Sequence, residues 1–328
     1  MTDFSVVICT YNGEHRLPLL LDCLRSQQVS SSLTWEILIV DNNSRDQTAC
    51  YILTQQQHWP SLRYVFEPRQ GLAHARRCAI KNITSPLVGF LDDDILPAHD
   101  WVQRAYEFGQ AHPQAGAYGS AIEGQYESHP PQGFERIASC LAIIQRGETA
   151  FAYDPKRGVL PAGAGMVVRR RVWLDCVPAE PTLKGVCGTS LKTKGEDVET
   201  LSHIRQKGWP IWHNPQMRLV HVIPQNRLRP AYLLHLFQCI GVSRYPLRCL
   251  RYRPWQRPAM VVLHGLNDLR KLLGHILTTQ QLHPTDIVTA CERTLLVHSL
   301  ISPVYGLRRI LTLKQRQFDG DNGARLTL

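Results

Sequence analysis

Short apolar segments alternate with amphipathic segments along the first third of the chain. Three near-continuous apolar runs, each followed by polar residues, have the pattern of buried strands: Phe4–Cys9, Glu36–Val40 and Leu87–Leu91. Leucines at helical spacing (Leu17, Leu20, Leu21, Leu24) separate the first two runs, and a second helical pattern at 71–80 follows the strand-like run Tyr64–Phe66. The alternation predicts an α/β fold of βαβ units, with a Rossmann-like, mostly parallel central sheet flanked by helices.

The rest of the chain predicts two further regions. The pattern is irregular from about residue 116 to 224, with frequent Gly and Pro and a Gly-rich turn at 162–165. Beyond it, residues 259–277 and 294–313 have apolar positions at helical spacing, interleaved with basic residues. We expect a domain over 1–224, with a nucleotide-binding half (1–115) and an acceptor half (116–224), followed by a basic helical extension over 225–328.

The formal net charge of +10 is concentrated at one end of the chain. Lys and Arg balance Asp and Glu at 22 against 22 in residues 1–223, whereas residues 224–328 carry 15 against 5. The longest uncharged runs there, among them 230–243 and 294–307, have 14 residues each, fewer than the roughly 20 that span a bilayer. The extension is therefore expected to lie peripherally on an anionic membrane surface.

The 10 cysteines are scattered and none has CxxC spacing, which favours free thiols in a reducing cytoplasm. No signal-peptide pattern precedes the first strand-like run. We expect a cytoplasmic protein on the inner face of the membrane.

Polar side chains follow the predicted strands, at Thr10-Tyr11-Asn12, Asp41-Asn42-Asn43-Ser44 and Asp92-Asp93-Asp94. Ligands collect at the carboxyl ends of parallel strands, so these groups should converge on one crevice. Three adjacent carboxylates repel one another unless a cation joins them, and their hard oxygens suit Mn²⁺ or Mg²⁺. Such a metal would offset charge on a diphosphate leaving group. The alternative is a solvated acidic turn that caps the next helix.

Each of the other polar positions allows two interpretations, one functional and one structural. Asp41 can accept from a base or ribose, or its neighbours Ser44 and Asp46 can cap a helix. Glu196 and Asp197 open a predicted helix, where they either complement the dipole or supply a base for an attacking hydroxyl. His221, and less favourably His213, can ligate a metal or be structural. The run Arg169–Arg171 follows the Gly-rich turn, whose small residues would let the backbone approach a sugar closely, or the run forms a solvated face.

Five motifs stand in the order typical of one enzyme family, and on them residues 4–224 resemble the inverting family 2 glycosyltransferases of the GT-A fold. They are Val6–Asn12, Ile39–Ser44, Arg69–Arg76, Phe90–Asp94 (a DxD motif) and Gly195–Asp197 (an ED motif). A closer similarity to bacterial exopolysaccharide transferases, of the hormogonium polysaccharide type, is also suggested. The QxxRW motif of processive synthases is missing from the sequence, which favours transfer of single sugars.

The resemblance implies a role for each position. Asp197, with Glu196, would be catalytic, and Asp94, with Asp92 and His221, would hold Mn²⁺ or Mg²⁺. The nucleotide sugar, most commonly a UDP-sugar, would contact Thr10, Tyr11, Asn12, Asp41, Arg76 and Asp93, and also Asp92. The acceptor would be a glycan or a lipid-linked oligosaccharide.

Two other functions compete with this interpretation. A nucleotidyltransferase would need a Gly-rich, Lys-containing loop after the first strand, and residues 10–14 are a poor candidate. A nucleic-acid-binding protein would use the basic last third, but no recognisable nucleic-acid module accompanies that charge, so no nucleic-acid partner is expected.

Overall fold

The predicted alternation of strands and helices is confirmed in a computed structural model, which describes residues 2–188, 190–280 and 284–324, without the side chains of 192, 193 and 307–324. The strands are β1 Phe4–Thr10, β2 Trp35–Asp41, β3 Leu62–Phe66, β4 Leu87–Asp92, β5 Ile95–Pro97, β6 Ala117–Tyr126, β7 Phe151–Ala152, β8 Met166–Arg169, β9 Gly185–Cys187, β10 Ser190–Thr193 and β11 Ile211–Ile223. The helices are α1 Leu17–Arg25, α2 Thr48–His58, α3 Leu72–Asn82, α4 Trp101–Ala111, α5 Arg170–Cys176, α6 Glu196–Gln206, α7 Gln225–Leu228, α8 Pro230–Cys249, α9 Arg257–Thr279 and α10 Ile287–Ala324. Short 3₁₀ turns cover Phe134–Arg136, Ala138–Leu141 and Pro254–Gln256.

A nine-stranded sheet forms the centre of the first part of the chain, in the order β3-β2-β1-β4-β8-β6-β11-β5, with β7 also paired to β11. The first four strands are mutually parallel. β8 then runs antiparallel to both β4 and β6, while β6 and β11 are parallel. β9 and β10 form a separate antiparallel pair.

The apolar residues of β1 pack alternately on the two faces of the sheet. Phe4, Val6 and Ile8 join the core formed with α1, α2 and α4. Val7 and Cys9 join the core formed with α3, α5 and α6. Because β1 is buried on both faces, its sequence is a continuous apolar run, as expected of a central parallel strand.

The described residues divide into two compact units, the first extending to Arg229 and the second beginning at Pro230. Helix α7 thus belongs to the first unit. In the second unit, Leu233, Leu236 and Phe237 of α8 and Val288 of α10 are buried. The helical stretches expected at 259–277 and 294–313 lie in α9 and α10. Among the described helices, none is both long and apolar enough to cross a bilayer.

Candidate active site

The carboxyl ends of β2, β1 and β4 lie side by side at one edge of the sheet. In the pairing register Thr10 stands opposite Asp41, and Cys9 opposite Asp92. The sheet therefore brings together the three polar groups that the sequence places after these strands.

Asp41 is buried at the end of β2, where backbone and side-chain donors fix its carboxylate. Its Oδ1 accepts from the Ser44 N–H at 2.9 Å, and its Oδ2 accepts from the Tyr64 hydroxyl at 3.1 Å. Burial, followed by the charge of Asp41, raises the pKa of Tyr64 to about 12. Tyr64 thus remains a hydrogen-bond donor to Asp41 at neutral pH.

Asn12 joins the loop after β1 to the loop after β2. Its N–H donates to the Ser44 hydroxyl at 2.9 Å, and its Oδ1 accepts from the Arg45 N–H at 2.9 Å. Asn12 adopts a left-handed conformation with φ of 49°, which asparagine tolerates better than most residues. Helix α2 begins at Thr48, and Asp46 accepts from the Thr48 N–H at 3.1 Å. Ser44 therefore connects loops, while Asp46 serves the helix start.

The middle carboxylate of the acidic triplet is held by protein groups. Asp93 accepts from the Thr10 hydroxyl at 2.6 Å. It also accepts from Nε and Nη2 of Arg16, at 2.8 and 2.9 Å. This bidentate pair fixes the loop between β4 and β5 on the loop that precedes α1. The sequence reasoning did not identify Arg16, because its partner is 77 positions away.

Asp94 faces a histidine and an arginine. Its Oδ2 lies 2.6 Å from Nη1 of Arg227 and 3.5 Å from Nε2 of His221. Burial opposes the charged form, but the contacts with His221 and Arg227 outweigh it and hold the pKa of Asp94 below its usual range. Arg227, on α7, was expected in the basic extension and not at this site.

The surroundings of His221 fit a divalent metal. Its Nδ1 lies 2.8 Å from the Leu141 carbonyl oxygen, which can only accept, so Nδ1 carries a proton and Nε2 is the nitrogen that offers a lone pair whenever the imidazole is neutral. Nη1 of Arg227 lies 3.4 Å from that Nε2 and also contacts Asp94. A cationic group thus already bridges a carboxylate oxygen and an imidazole nitrogen, the donor types that Mn²⁺ accepts. Within the described residues no group of three or more His, Cys, Asp or Glu side chains is placed so that it could hold a metal ion by itself.

Arg76 connects the acidic triplet to the acidic start of α6. Its guanidinium is 3% exposed, 3.4 Å from Asp92 and 3.3 Å from Glu196. Burial disfavours its charge, but Asp92, Glu196 and Asp197 together raise its pKa. Burial, and then the charge of Asp197, raises the pKa of Glu196 to about 7. Glu196 is therefore partly protonated near neutral pH.

Asp197 is held by two backbone donors. Its Oδ1 accepts from the Val198 N–H at 2.8 Å, and its Oδ2 from the Gly163 N–H at 2.9 Å. A Cβ on Gly163 would lie 2.8 Å from both Nη2 of Arg76 and Cβ of Asp197. The Gly-rich turn therefore makes room for these two side chains, a requirement that composition alone could not reveal.

Two other candidate groups lie away from these contacts. His213 is buried against Phe151 and Tyr153, and burial, then Arg146, lowers its pKa to about 4. Arg169 donates to the carbonyls of Gly109, His112 and Ala115, so it joins backbone segments.

Comparison with known proteins identifies the family. The model of glycosyl transferase family 2 matches residues 5–175, just over half of the chain. The chain belongs to glycosyl transferase family 2. This family 2 glycosyltransferase is similar to the succinoglycan biosynthesis protein ExoM of Rhizobium meliloti, with 24% identity over 235 residues that cover 70% of each protein. It is also 28% identical to an uncharacterized glycosyltransferase of Nostoc sp. over 187 residues, 54% of each protein.

Solved structures share the fold of the enzyme. The mannosyltransferase PcManGT from Pyrobaculum calidifontis, in complex with GDP-Man and Mn²⁺, superposes with a TM-score of 0.60 and 19% identity, covering 94% of this chain and 89% of that one. TarS of S. aureus superposes with a TM-score of 0.52 and 15% identity, covering 93% and 92%. The expected GT-A type of α/β fold is thus confirmed, as is glycosyltransferase activity as a class.

Proposed function

We propose that the enzyme transfers a single sugar from a nucleoside-diphosphate donor to a hydroxyl of a glycan or lipid-linked acceptor, with inversion at the anomeric carbon. The observation that carries this proposal is the buried guanidinium of Arg76, shared between Asp92 at the end of β4 and Glu196 beside Asp197. It links a donor-side carboxylate to the residue next to the predicted base, within one unit of the fold.

The donor would bind along the strand ends, with its nucleoside near Asn12 and Asp41 and its diphosphate near the acidic triplet. Asp94 and His221 would hold a divalent metal, with Asp92 close by. When bound, Mn²⁺ or Mg²⁺ supplies positive charge that offsets the charge growing on the diphosphate. Asp93 would act through Thr10 and Arg16, which it holds in place.

Asp197 would act as the general base. Its two backbone hydrogen bonds fix its orientation and leave lone pairs on both carboxylate oxygens free to accept a proton. The acceptor hydroxyl loses its proton to Asp197 and forms a bond to the anomeric carbon. The bond from that carbon to the diphosphate oxygen breaks, and the nucleoside diphosphate leaves with the electron pair. One displacement gives the inverted product.

Similar proteins support this substrate class. PcManGT was solved with GDP-Man and Mn²⁺, and TarS with UDP-GlcNAc. ExoM is named for succinoglycan biosynthesis, which supports an exopolysaccharide or its lipid-linked precursor as the acceptor.

The test is a panel of UDP-sugars and GDP-sugars with Mn²⁺, scored by release of the nucleoside diphosphate. We expect Asp197→Asn to lower turnover on the active donor by roughly 100-fold to 10,000-fold, the usual contribution of a general base. Binding of the free nucleoside diphosphate, measured by calorimetry, should stay close to wild type. Asp175→Asn is the matched control, because Asp175 is an exposed carboxylate on α5.

Equal loss of turnover and nucleotide binding in Asp197→Asn would remove Asp197 from the role of base. Retention of the anomeric configuration, read by NMR of the product, would exclude single displacement.

A further inference from the structure

Helix α9 presents a continuous row of large apolar side chains to its surroundings. The row follows spacings of four, three, four and four residues, which keeps its members on one side of a helix. All five members are exposed, from 41% for Leu269 to 76% for Leu277. We call this row the α9 stripe: Val262, Leu266, Leu269, Leu273 and Leu277.

The packed side of α9 holds polar groups beside half-buried apolar residues such as Val261, Leu272 and Ile276. Asp268 is fully buried and forms a bidentate pair with Arg248, at 2.5 and 2.8 Å. His264 lies 3.2 Å from the Tyr252 hydroxyl. A helix in water normally hides its leucines and exposes its polar residues. The exposed stripe therefore calls for an apolar environment outside the second unit.

Positive charge accompanies the α9 stripe. Asp268 is the only acidic residue of α9, and Arg248 neutralises it. Arg257, Arg270 and Lys271 are exposed on the same helix. Trp255, in the 3₁₀ turn before α9, is 74% exposed and stands among exposed arginines at 251, 253 and 257. Amphipathic tryptophan and basic residues beside leucines are the composition of helices that lie in a membrane interface.

We propose that α9 and Trp255 form a docking surface for an anionic lipid bilayer, with the helix axis in the plane of the interface. The stripe would enter the boundary of the acyl chains while the arginines and Lys271 contact acidic headgroups. A second copy of the chain would bring the same positive charges together, and α9 offers no exposed carboxylate to pair with them. Nucleic acid would use the charges but leave five apolar side chains without apolar contacts. This surface is independent of the proposed glycosyl transfer.

Vesicle flotation of the full chain tests the proposal. The wild type should float with vesicles of phosphatidylcholine and phosphatidylglycerol, less with phosphatidylcholine alone, and less again as salt is raised. The double variant Leu266→Glu/Leu273→Glu should lower the partition constant by about tenfold per leucine, since burial of a leucine is worth at least one decade of affinity.

The matched control is Leu19→Glu/Leu174→Glu. These leucines lie in the first unit and are 53% and 51% exposed, close to the 60% and 52% of Leu266 and Leu273. Both double variants add the same charge, so a loss confined to the stripe variant reports lost apolar contact. Unchanged thermal unfolding of both variants shows that each is folded.

Three results would overturn the proposal. The first is equal flotation of the stripe variant and the wild type. The second is a wild-type dimer that does not float and that Leu266→Glu/Leu273→Glu converts to a monomer in light scattering, because the stripe would then be covered by a second copy. The third is a wild type that ignores vesicles but binds DNA in a gel shift.

Discussion

Arg227 contacts both Asp94 and His221, the two residues proposed to hold a divalent cation. A guanidinium and a metal cannot both bridge the same carboxylate oxygen and imidazole nitrogen. The arginine and the metal should therefore compete until a diphosphate arrives, whose negative charge can attract the arginine away from Asp94.

Arg227→Gln should bind Mn²⁺ more tightly than the wild type when no donor is present. Loss of one charge-assisted hydrogen bond to Asp94 is worth about 1.5–3 kcal/mol, so we expect a gain in affinity of roughly 10-fold to 100-fold. Asp94→Asn should bind the metal weakly with or without Arg227. Calorimetry or Mn²⁺ spin resonance measures both. Arg171→Gln is the control, since Arg171 is 94% exposed; unchanged Mn²⁺ affinity in Arg227→Gln would refute the competition.

Glu196 should make stability depend on pH. Its pKa rises from 4.5 to about 7 in the folded protein, so between these values the folded state holds a proton that the unfolded chain has released. The folding stability that Glu196 adds by holding this proton is fully present below pH 4.5 and is lost as pH rises through about 7. Relative to the wild type, Glu196→Gln should gain about 1–3 kcal/mol of unfolding free energy across this range, measured by urea titration. Glu180→Gln, at a 77% exposed side chain, should show no such trend. A stability difference between Glu196→Gln and wild type that stays flat over this range contradicts the assignment.

At the scale of elements, the start of α6 and the Gly-rich turn pack together around Arg76. The turn supplies an N–H to Asp197, and its missing side chain leaves the space that the guanidinium fills. The position of Asp197 thus depends on a segment 34 positions earlier in the chain.

Gly163→Ala should disturb both catalysis and folding. The added methyl group would meet Arg76 and Asp197, both of which are held by other contacts. It would push the Asp197 carboxylate slightly out of its position. We expect turnover to fall by up to roughly 100-fold and stability by about 1–3 kcal/mol. Steady-state kinetics and thermal unfolding measure the two effects. The control is Gly274→Ala on α9, whose added methyl group meets open space and should be stabilising by up to about 1 kcal/mol. Normal turnover of Gly163→Ala would show that the close contact of Gly163 with Arg76 and Asp197 is unimportant for catalysis.

Element types followed from the sequence wherever burial set the pattern. β1, β2 and β4 are apolar because both of their faces are covered, and that property is visible in a linear sequence. β8 was not predicted, although Met166–Val168 are fully buried, because its four residues are too few to show a period. β11 continues through a register shift between Asn214 and Arg218, which no sequence pattern indicated. Pairing partners, and hence such irregularities, depend on the fold.

At the scale of the whole molecule, local sequence motifs identified the acidic residues of the site but not the distant residues that pair with them. The carboxylates at positions 92, 93, 94 and 197 were recognised from local motifs. Their counter-charges, Arg16 and Arg227, were not, because they are 77 and 133 positions away from their partners in the triplet. Charge counting assigned Arg227 to the basic extension, whereas the fold returns it to the first unit on α7.

The guanidinium of Arg76 has a consequence for how the first unit opens. It is shared by a strand end at Asp92 and a helix start 120 positions further along the chain from Arg76. Moving either segment away alone would leave the buried Arg76 guanidinium with too few anionic partners, at a cost of several kcal/mol. The end of β4 and the start of α6 should therefore open together in a single cooperative step. Solvent would then reach the backbone amides of both elements at the same rate.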